Sequence, residues 1–324
     1  MRNNEAVEQR PLHIKSAGGI FRNNITISVI IFALVLISAR VFVPTIYQIM
    51  NVINVLRIVS IVGLVAIGET FILLTGEIDI SVGSIMSLSL VTGGLFLNRG
   101  SLTALLISLL TGVALGFING IAVTKGKINS LIMTLGTLSI YGGLALIIVR
   151  GQALYLYNRP MYLWMGKEYI AGIPVPVIFF IAVSCISYGF LSFTKRGHYL
   201  FYTGANKVAA LCSGINVDNI KILAFSIAGF CAALAGPFFA SQTNRITPIQ
   251  GVGFELSAIA IAVLGGTDLS GGKGSIIGTV VGALTYGFLL NILSLSGVGT
   301  YMELVLKGVM LMAIVLIFQN IKKK

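Results

Sequence analysis

Long apolar stretches separated by short polar segments recur along this chain from residue 25 to residue 320. A helix crossing a bilayer needs about 20 mostly apolar residues. The pattern predicts ten such helices, over 25–43, 51–75, 82–98, 101–124, 128–149, 174–193, 221–241, 254–268, 274–295 and 302–320. The stretches 82–98 and 254–268 are short for the purpose, so those helices are expected to be tilted or broken. The expected fold is all-α and polytopic: a polar tail over 1–24, a ten-helix membrane domain over 25–321, and a basic end over 322–324. An even number of crossings puts both termini on one side.

Charge selects that side. With the N-terminus inside, fourteen of the 22 Lys and Arg residues fall in inner segments and six in outer ones, while Arg57 and Lys307 lie within helices. Cytoplasmic loops carry the excess of Lys and Arg, so both termini are expected in the cytoplasm. The tail carries Arg2, Arg10, Lys15 and Arg22 and lacks a small-residue cleavage site, which predicts an uncleaved first helix.

Composition agrees. Hydrophobic residues make up 56% of the 324 and charged residues only 10%, with a mean hydropathy of +0.97; a soluble domain carries about 25% charged residues. The net charge of +12 is not gathered into a basic patch with interleaved aromatics, so a nucleic-acid partner is not expected. Cys185, Cys212 and Cys231 form no CxxC or His–Cys cluster, which argues against a disulfide framework or a zinc site.

Two loops stand out. The outer one, 150–173, holds Tyr155, Tyr157, Tyr162, Trp164 and Tyr169, and is open between an interfacial helix and a docking surface for an extracytoplasmic partner. The inner one, 194–220, is the longest polar stretch between helices. Gly112, Gly116 and Gly120 recur at four-residue spacing, as do Gly274, Gly278 and Gly282, which predicts close approach of neighbouring backbones.

The stretch "LGGTDLSGGKGS", 264–275, has the look of a phosphate loop. A P-loop needs G-x-x-x-x-G-K-[ST] after a strand. Here Thr267 stands five before Gly272 where glycine is required, and Gly274 follows Lys273 where Ser or Thr is required. The better reading is a sharp turn between helices, with Asp268 and Ser270 capping the next one. A related string, "GEIDISVGSI", occupies 76–85. Paired glycine-interrupted segments point to a transporter, although two independent helix caps would read the same way.

Three stretches together resemble the membrane permease subunit of bacterial ribose-type monosaccharide ABC importers, and the likeness covers nearly the whole chain. They are "GETFILLTGEIDISVGS" (68–84), "TKRGHYLFYTGANKVAALCSGINVDNIK" (194–221) and "GFELSAIAIAVLGGTDLSGGKGSIIGTVVGAL" (253–284). The chain departs from the family at Glu77, where glycine is frequent, and at Glu69, where many members are apolar. The resemblance implies a subunit of the cytoplasmic (inner) membrane that works with a second copy or a related permease, the two forming the pathway at their interface. It implies a separate ATPase subunit that uses ATP and magnesium, an extracytoplasmic sugar-binding protein, and a small carbohydrate substrate. No catalytic residue, cofactor or metal is expected in this chain.

By resemblance, the ATPase-coupling role falls on Gly204, Ala205, Asn206, Ala209, Ala210, Gly214 and Ile215. The residues themselves suit it. Ala205, Ala209, Ala210 and Leu211 offer an apolar face, Asn206 and Lys207 stay polar, and Gly214 is placed to end the helix.

Glu69, Asp79, Asn119 and Asn291 are the candidates for a pathway or gate. A carboxylate at mid-membrane costs about 2.5–3.5 kcal/mol on insertion scales, so Glu69 is expected to face the bundle or water. Its role is open between lining the pathway, pairing with Arg57 and being protonated. Asn119 and Asn291 are open between sugar hydroxyls and helix–helix bonds. Glu255, expected at the outer end of its span, is open between a cap and a partner contact, and Glu303 precedes Lys307 at i,i+4. An ion-coupled transporter would instead use Glu69 or Asp79 as its proton site. A membrane enzyme is disfavoured, because His13 and His198 lie in polar segments without nucleophile or carboxylate neighbours.

Overall fold

The computed structural model describes residues 17–157 and 159–299, with 302, 305, 306, 308, 309 and 312. Nine of the ten predicted stretches coincide with helices among the described residues; the tenth, 302–320, lies largely outside them, as do residues 1–16, Glu303, Lys307 and the end 322–324. In order these helices are α1 (Ala17–Phe42), α2 (Ile49–Leu74), α3 (Val82–Gly94), α4 (Ser101–Thr124), α5 (Ser130–Ile148), α6 (Pro160–Lys167), α7 (Val175–Phe193), α8 (Lys195–Ala205), α9 (Lys207–Cys212), α10 (Val217–Thr243), α11 (Phe254–Leu264) and α12 (Ile276–Leu295). Helix α1 starts at Ala17, inside the segment expected to be a polar tail. Among the described residues six helices are long and apolar enough to cross a bilayer: α2, α4, α5, α7, α10 and α12.

Helix α10 is the axis of the bundle. It packs on α4, α2 and α3, while α2 also meets α7, α11 and α12, α5 lies on α3, and α1 lies on α12. At its glycines, the α4–α10 contact sets the backbone of α4 directly against α10. A Cβ on Gly112 would lie 2.3 Å from the Ala233 Cβ, one on Gly116 would lie 2.2 Å from the Phe225 carbonyl oxygen, and one on Gly120 would lie 2.8 Å from the Ile222 Cα. The α11–α12 hairpin closes in the same manner, with Gly278 against the Gly265 carbonyl and Gly282 against that of Ile261. Gly274 sits against the Thr267 side chain. Lipid gives no hydrophobic drive for helix association, so such close van der Waals contact has to supply it. Within α10, Pro237 leaves the Ala233 carbonyl without its helical donor, and buried Ser108 of α4 reaches it at 3.5 Å.

The two short helices are half-spans. At 1.5 Å per residue α3 and α11 are roughly 20 and 17 Å long, each about half of a bilayer core or a little more. Their N-termini meet inside the protein: a Cβ on Gly251, just before α11, would lie 2.0 Å from the Gly83 carbonyl oxygen, and Gly251 N–H donates to the Ser87 hydroxyl at 2.9 Å. The far end of α3 abuts the ribbon formed by β1 (Leu154–Tyr155) and β4 (Arg245–Ile246).

That ribbon, α6, and the hairpin of β2 (Tyr169–Ile170) and β3 (Ile173–Pro174) close one end of the bundle. Helix α6 is clamped to α10, since Gly166 N–H donates to the Ser241 hydroxyl, which in turn donates to the Leu163 carbonyl at 2.6 Å. Tyr162 is buried beneath it, whereas Tyr155, Tyr157, Trp164 and Tyr169 stay exposed. Arg57 reaches this end too, donating to the Lys167 carbonyl at 2.7 Å with its guanidinium over the Tyr169 ring. The opposite end carries α8 and α9.

Close approach predicts a steric asymmetry among the glycines. Gly116→Leu is expected to destabilise the detergent-solubilised protein by about 1–3 kcal/mol, the usual cost of overpacking. Gly136→Ala, on an exposed face with open space around it, is expected to leave stability unchanged or raise it by up to about 1 kcal/mol. Thermal melting of the two variants beside the parent decides the matter, and equal shifts would show that α4–α10 contact is not what Gly116 provides.

Candidate functional site

The chain between α2 and α3 is irregular, with turns at 75–76 and 80–81, and every backbone group exposed by that break needs a partner. Side chains from two helices, α5 and α2, supply several of them. Ile78 N–H donates to the Ser130 hydroxyl at 3.4 Å and Ile80 N–H to the Thr134 hydroxyl at 3.3 Å, both on α5. Asp79 N–H donates to Glu69 Oε1, one turn back on α2, at 3.2 Å. Asp79 Oδ1 then accepts from the Ser81 N–H at 2.7 Å and the Ser81 hydroxyl at 2.6 Å, which turns the chain into α3. Asn119 of α4 donates to the Ser81 hydroxyl at 2.8 Å and accepts from the Tyr141 hydroxyl of α5 at 3.0 Å. Three of the four pathway candidates, Glu69, Asp79 and Asn119, thus join one buried network. Glu69 Oε2 and Asp79 Oδ2 are buried without a partner among the described residues. Glu77, the other family departure, pairs with Lys221 of α10 at the edge of the network.

Asn291 is elsewhere. It exchanges two amide hydrogen bonds with Asn51, at 2.8 and 3.0 Å, which ties α12 to α2 near the α6 end. Arg57 does not pair with Glu69. Glu255 is not at the end of a full span: its carboxylate caps the start of α11, accepting from Gly253 N–H at 3.1 Å, and lies against Gly83.

The second glycine-rich segment, 265–275, follows similar local rules. Asp268 Oδ1 accepts from the Ser270 N–H at 2.9 Å, as Asp79 does from Ser81. The residue that caps α12 is Ser275, whose hydroxyl accepts from Gly278 N–H, and not Ser270. The two segments also touch. Gly272 N–H donates to the Leu74 carbonyl at 3.0 Å, and a Cβ on Gly271 would lie 2.7 Å from Gly76 N and 3.0 Å from the Gly204 Cα. Gly271 and Gly76 have φ of +87° and +77°, which L side chains rarely adopt.

Gly204 brings in the α8–α9 loop. A Cβ there would lie 2.0 Å from the Leu74 carbonyl oxygen and 2.5 Å from Gly272 N, so the loop rests directly on both glycine turns. Asn206 caps α9 by accepting from Ala209 N–H at 3.0 Å. Gly214, at φ +77°, ends it: Gly214 N–H donates to the Leu211 carbonyl and Ile215 N–H to that of Ala210. This is the helix-ending turn in which residues such as Ala210 and Ile215 pack together, and both are buried. Ala205, Asn206, Ala209 and Gly214 face outward. Val208, 70% exposed, and Leu211, 53% exposed, form the apolar ridge of α9. Val208 was not singled out in the sequence, although its i,i+3 spacing from Leu211 carries the signal.

A family model described as the branched-chain amino acid transport system permease component matches residues 51–315. The chain is 40% identical over 290 residues to the ribose import permease protein RbsC of Bacillus subtilis, covering 89% of this chain and 90% of that one. It is 36% identical over 281 residues to the ribose import permease protein of Haemophilus influenzae, covering 84% and 86%. It is 37% identical over 262 residues to the D-allose transport system permease protein AlsC of Escherichia coli, covering 80% of each. In fold it is similar to a chain of an ABC transporter assigned to the metal-chelate type and solved in an inward-facing conformation, with a TM-score of 0.54, 14% identity, and 92% and 99% of the two chains covered. The chain therefore belongs to the family of transport-system permease components that includes the ribose and allose permeases.

Proposed function

We propose that this chain is the membrane subunit of an ATP-driven importer of a monosaccharide, paired with a second permease and fed by an extracytoplasmic binding protein. Its relatives are ribose and allose permeases, and it is a multi-pass protein of the bacterial cytoplasmic membrane. The observation that carries the reading is α9: a short helix, capped at both ends, with an exposed Val208–Leu211 ridge, standing on a loop that rests on the glycine turns. A solvent-facing apolar ridge costs free energy unless a partner covers it. A partner ATPase that uses ATP and magnesium is the occupant the reading assigns, with Gly204, Ala205, Asn206, Ala209, Ala210, Gly214 and Ile215 shaping and presenting the ridge.

In this reading the α8–α9 end is cytoplasmic and the α6 end faces the binding protein, with ten crossings and both termini in the cytoplasm. The Lys and Arg excess in the inner segments supports that orientation. The helix break at 75–81 serves as the hinge. Glu69, Asp79 and Asn119 hold it in register rather than contact the sugar.

Two measurements bear on these assignments. Affinity purification from the native membrane is expected to retain a P-loop ATPase with the parent chain and lose it with Val208→Asp plus Leu211→Asp, whose exposed positions leave folding intact. Retention by the double variant would remove α9 as the coupling element. Asn119→Leu leaves Ser81 and Tyr141 without their shared partner and is expected to cost about 1–3 kcal/mol in melting experiments, with Tyr141→Phe at the low end of that range. No loss in either variant would show that the break does not depend on this network.

A further inference from the structure

The α6-side halves of α2, α10, α11 and α12 enclose a cavity of about 390 Å³. It lies next to the point where the loop before α11 dips inward to meet α3, and its mouth is open at Val252, 74% exposed. The volume is in the range of small-molecule sites, roughly 300–1,000 Å³. None of the described residues that line it is Asp, Glu, Lys, Arg or His, and the nearby Glu255 carboxylate is engaged by the N–H of the lining residue Gly253. Its polar groups are amides and hydroxyls. Ser257 Oγ stands 2.8 Å from Tyr286 Oη, Asn291 is held at the wall by Asn51, and Gln242 Nε2 is buried without a partner among the described residues. The Phe239 and Phe254 rings, 5.5 Å apart, give the cavity an aromatic side.

This set of groups discriminates between solutes. An amino acid would bring an ammonium and a carboxylate against lining side chains that carry no charge. The nearby Glu255 carboxylate is already turned to the Gly253 N–H, and a charge taken out of water unpaired is strongly penalised. A neutral monosaccharide brings hydroxyls that both donate and accept, matched to amide and hydroxyl groups, and C–H faces matched to aromatic rings. The buried Gln242 N–H is a donor that such a hydroxyl would satisfy.

We propose that this cavity is the station at which the sugar enters the membrane, with Gln242, Ser257 and Tyr286 contacting its hydroxyls and the Asn51–Asn291 pair positioning the wall. The assignment rests on the reading of the chain as a sugar permease. It also places substrate recognition by this subunit away from the Glu69–Asp79–Asn119 network.

The test is uptake of labelled D-ribose and D-allose into proteoliposomes holding the permease with its ATPase and binding protein, measured alongside ATP consumption. Gln242→Leu, Ser257→Ala and Tyr286→Phe are each expected to lower uptake about three- to tenfold, the worth of one hydrogen bond made in transit, while stimulation of the ATPase by the loaded binding protein persists. Ser257→Ala and Tyr286→Phe remove one oxygen each and carry the test if Gln242→Leu fails to fold. Parental uptake in those two variants would overturn the cavity assignment and leave the permease reading standing. Uptake of neither sugar by the parent complex, with its ATPase bound and active, would overturn the sugar reading and the cavity assignment with it.

Discussion

A backbone N–H or C=O without a partner in hydrocarbon costs several kcal/mol, so a chain may leave the helical state inside a membrane only where side chains replace the lost ladder. The features of this molecule follow from that constraint. The 75–81 segment can leave the helical state because Glu69, Ser130 and Thr134 accept its N–H groups, and because Asp79 turns it into α3. Gln250 performs a similar service before α11, accepting from the Thr247 N–H at 3.0 Å, and Ser87 accepts from Gly251. Irregular backbone of this kind is found in transporters, where broken helices place polar groups at mid-depth.

Glycine then determines how the broken pieces fit. Three segments distant in sequence, around Gly76, Gly204 and Gly271–Gly272, meet with no side chain between them. The α8–α9 loop is therefore in direct contact with the C-terminal end of α2 and with the turn joining α11 to α12. Those helices also line the neutral cavity at the other end of the bundle. Backbone contacts of this kind transmit displacement without the give of long side chains. The α4–α10 glycine face is a second seam of this kind.

Much of this architecture was legible in the chain itself. Long apolar runs mark α2, α4, α5, α7, α10 and α12 because hydrocarbon tolerates nothing else over about 20 residues, and the short runs marked α3 and α11 as exceptions. Four-residue glycine spacing located the seams, since period and helix geometry coincide. The family pattern pointed to 194–221, and Asn206 and Gly214 explain why: they cap a helix only six residues long. Other matters were not legible. Asp268 and Ser270 read as the cap of α12, yet Ser275 does that work, because a glycine-rich string leaves the register of its turn undetermined.

The amino-acid sequence by itself determined that the protein lives in a membrane, where most of its helices run, and which glycines face neighbours, because those properties depend on local composition and period. Only the tertiary structure decided what the polar residues are for. Glu69, Asp79 and Asn119 looked alike as candidates beside Asn291, but burial in one network makes the first three the mortar of a helix break. Asn291 instead joins Gln242, Ser257 and Tyr286 around a cavity. Residues up to 240 positions apart supply those partners, and no pattern within a single helix records which of them will meet.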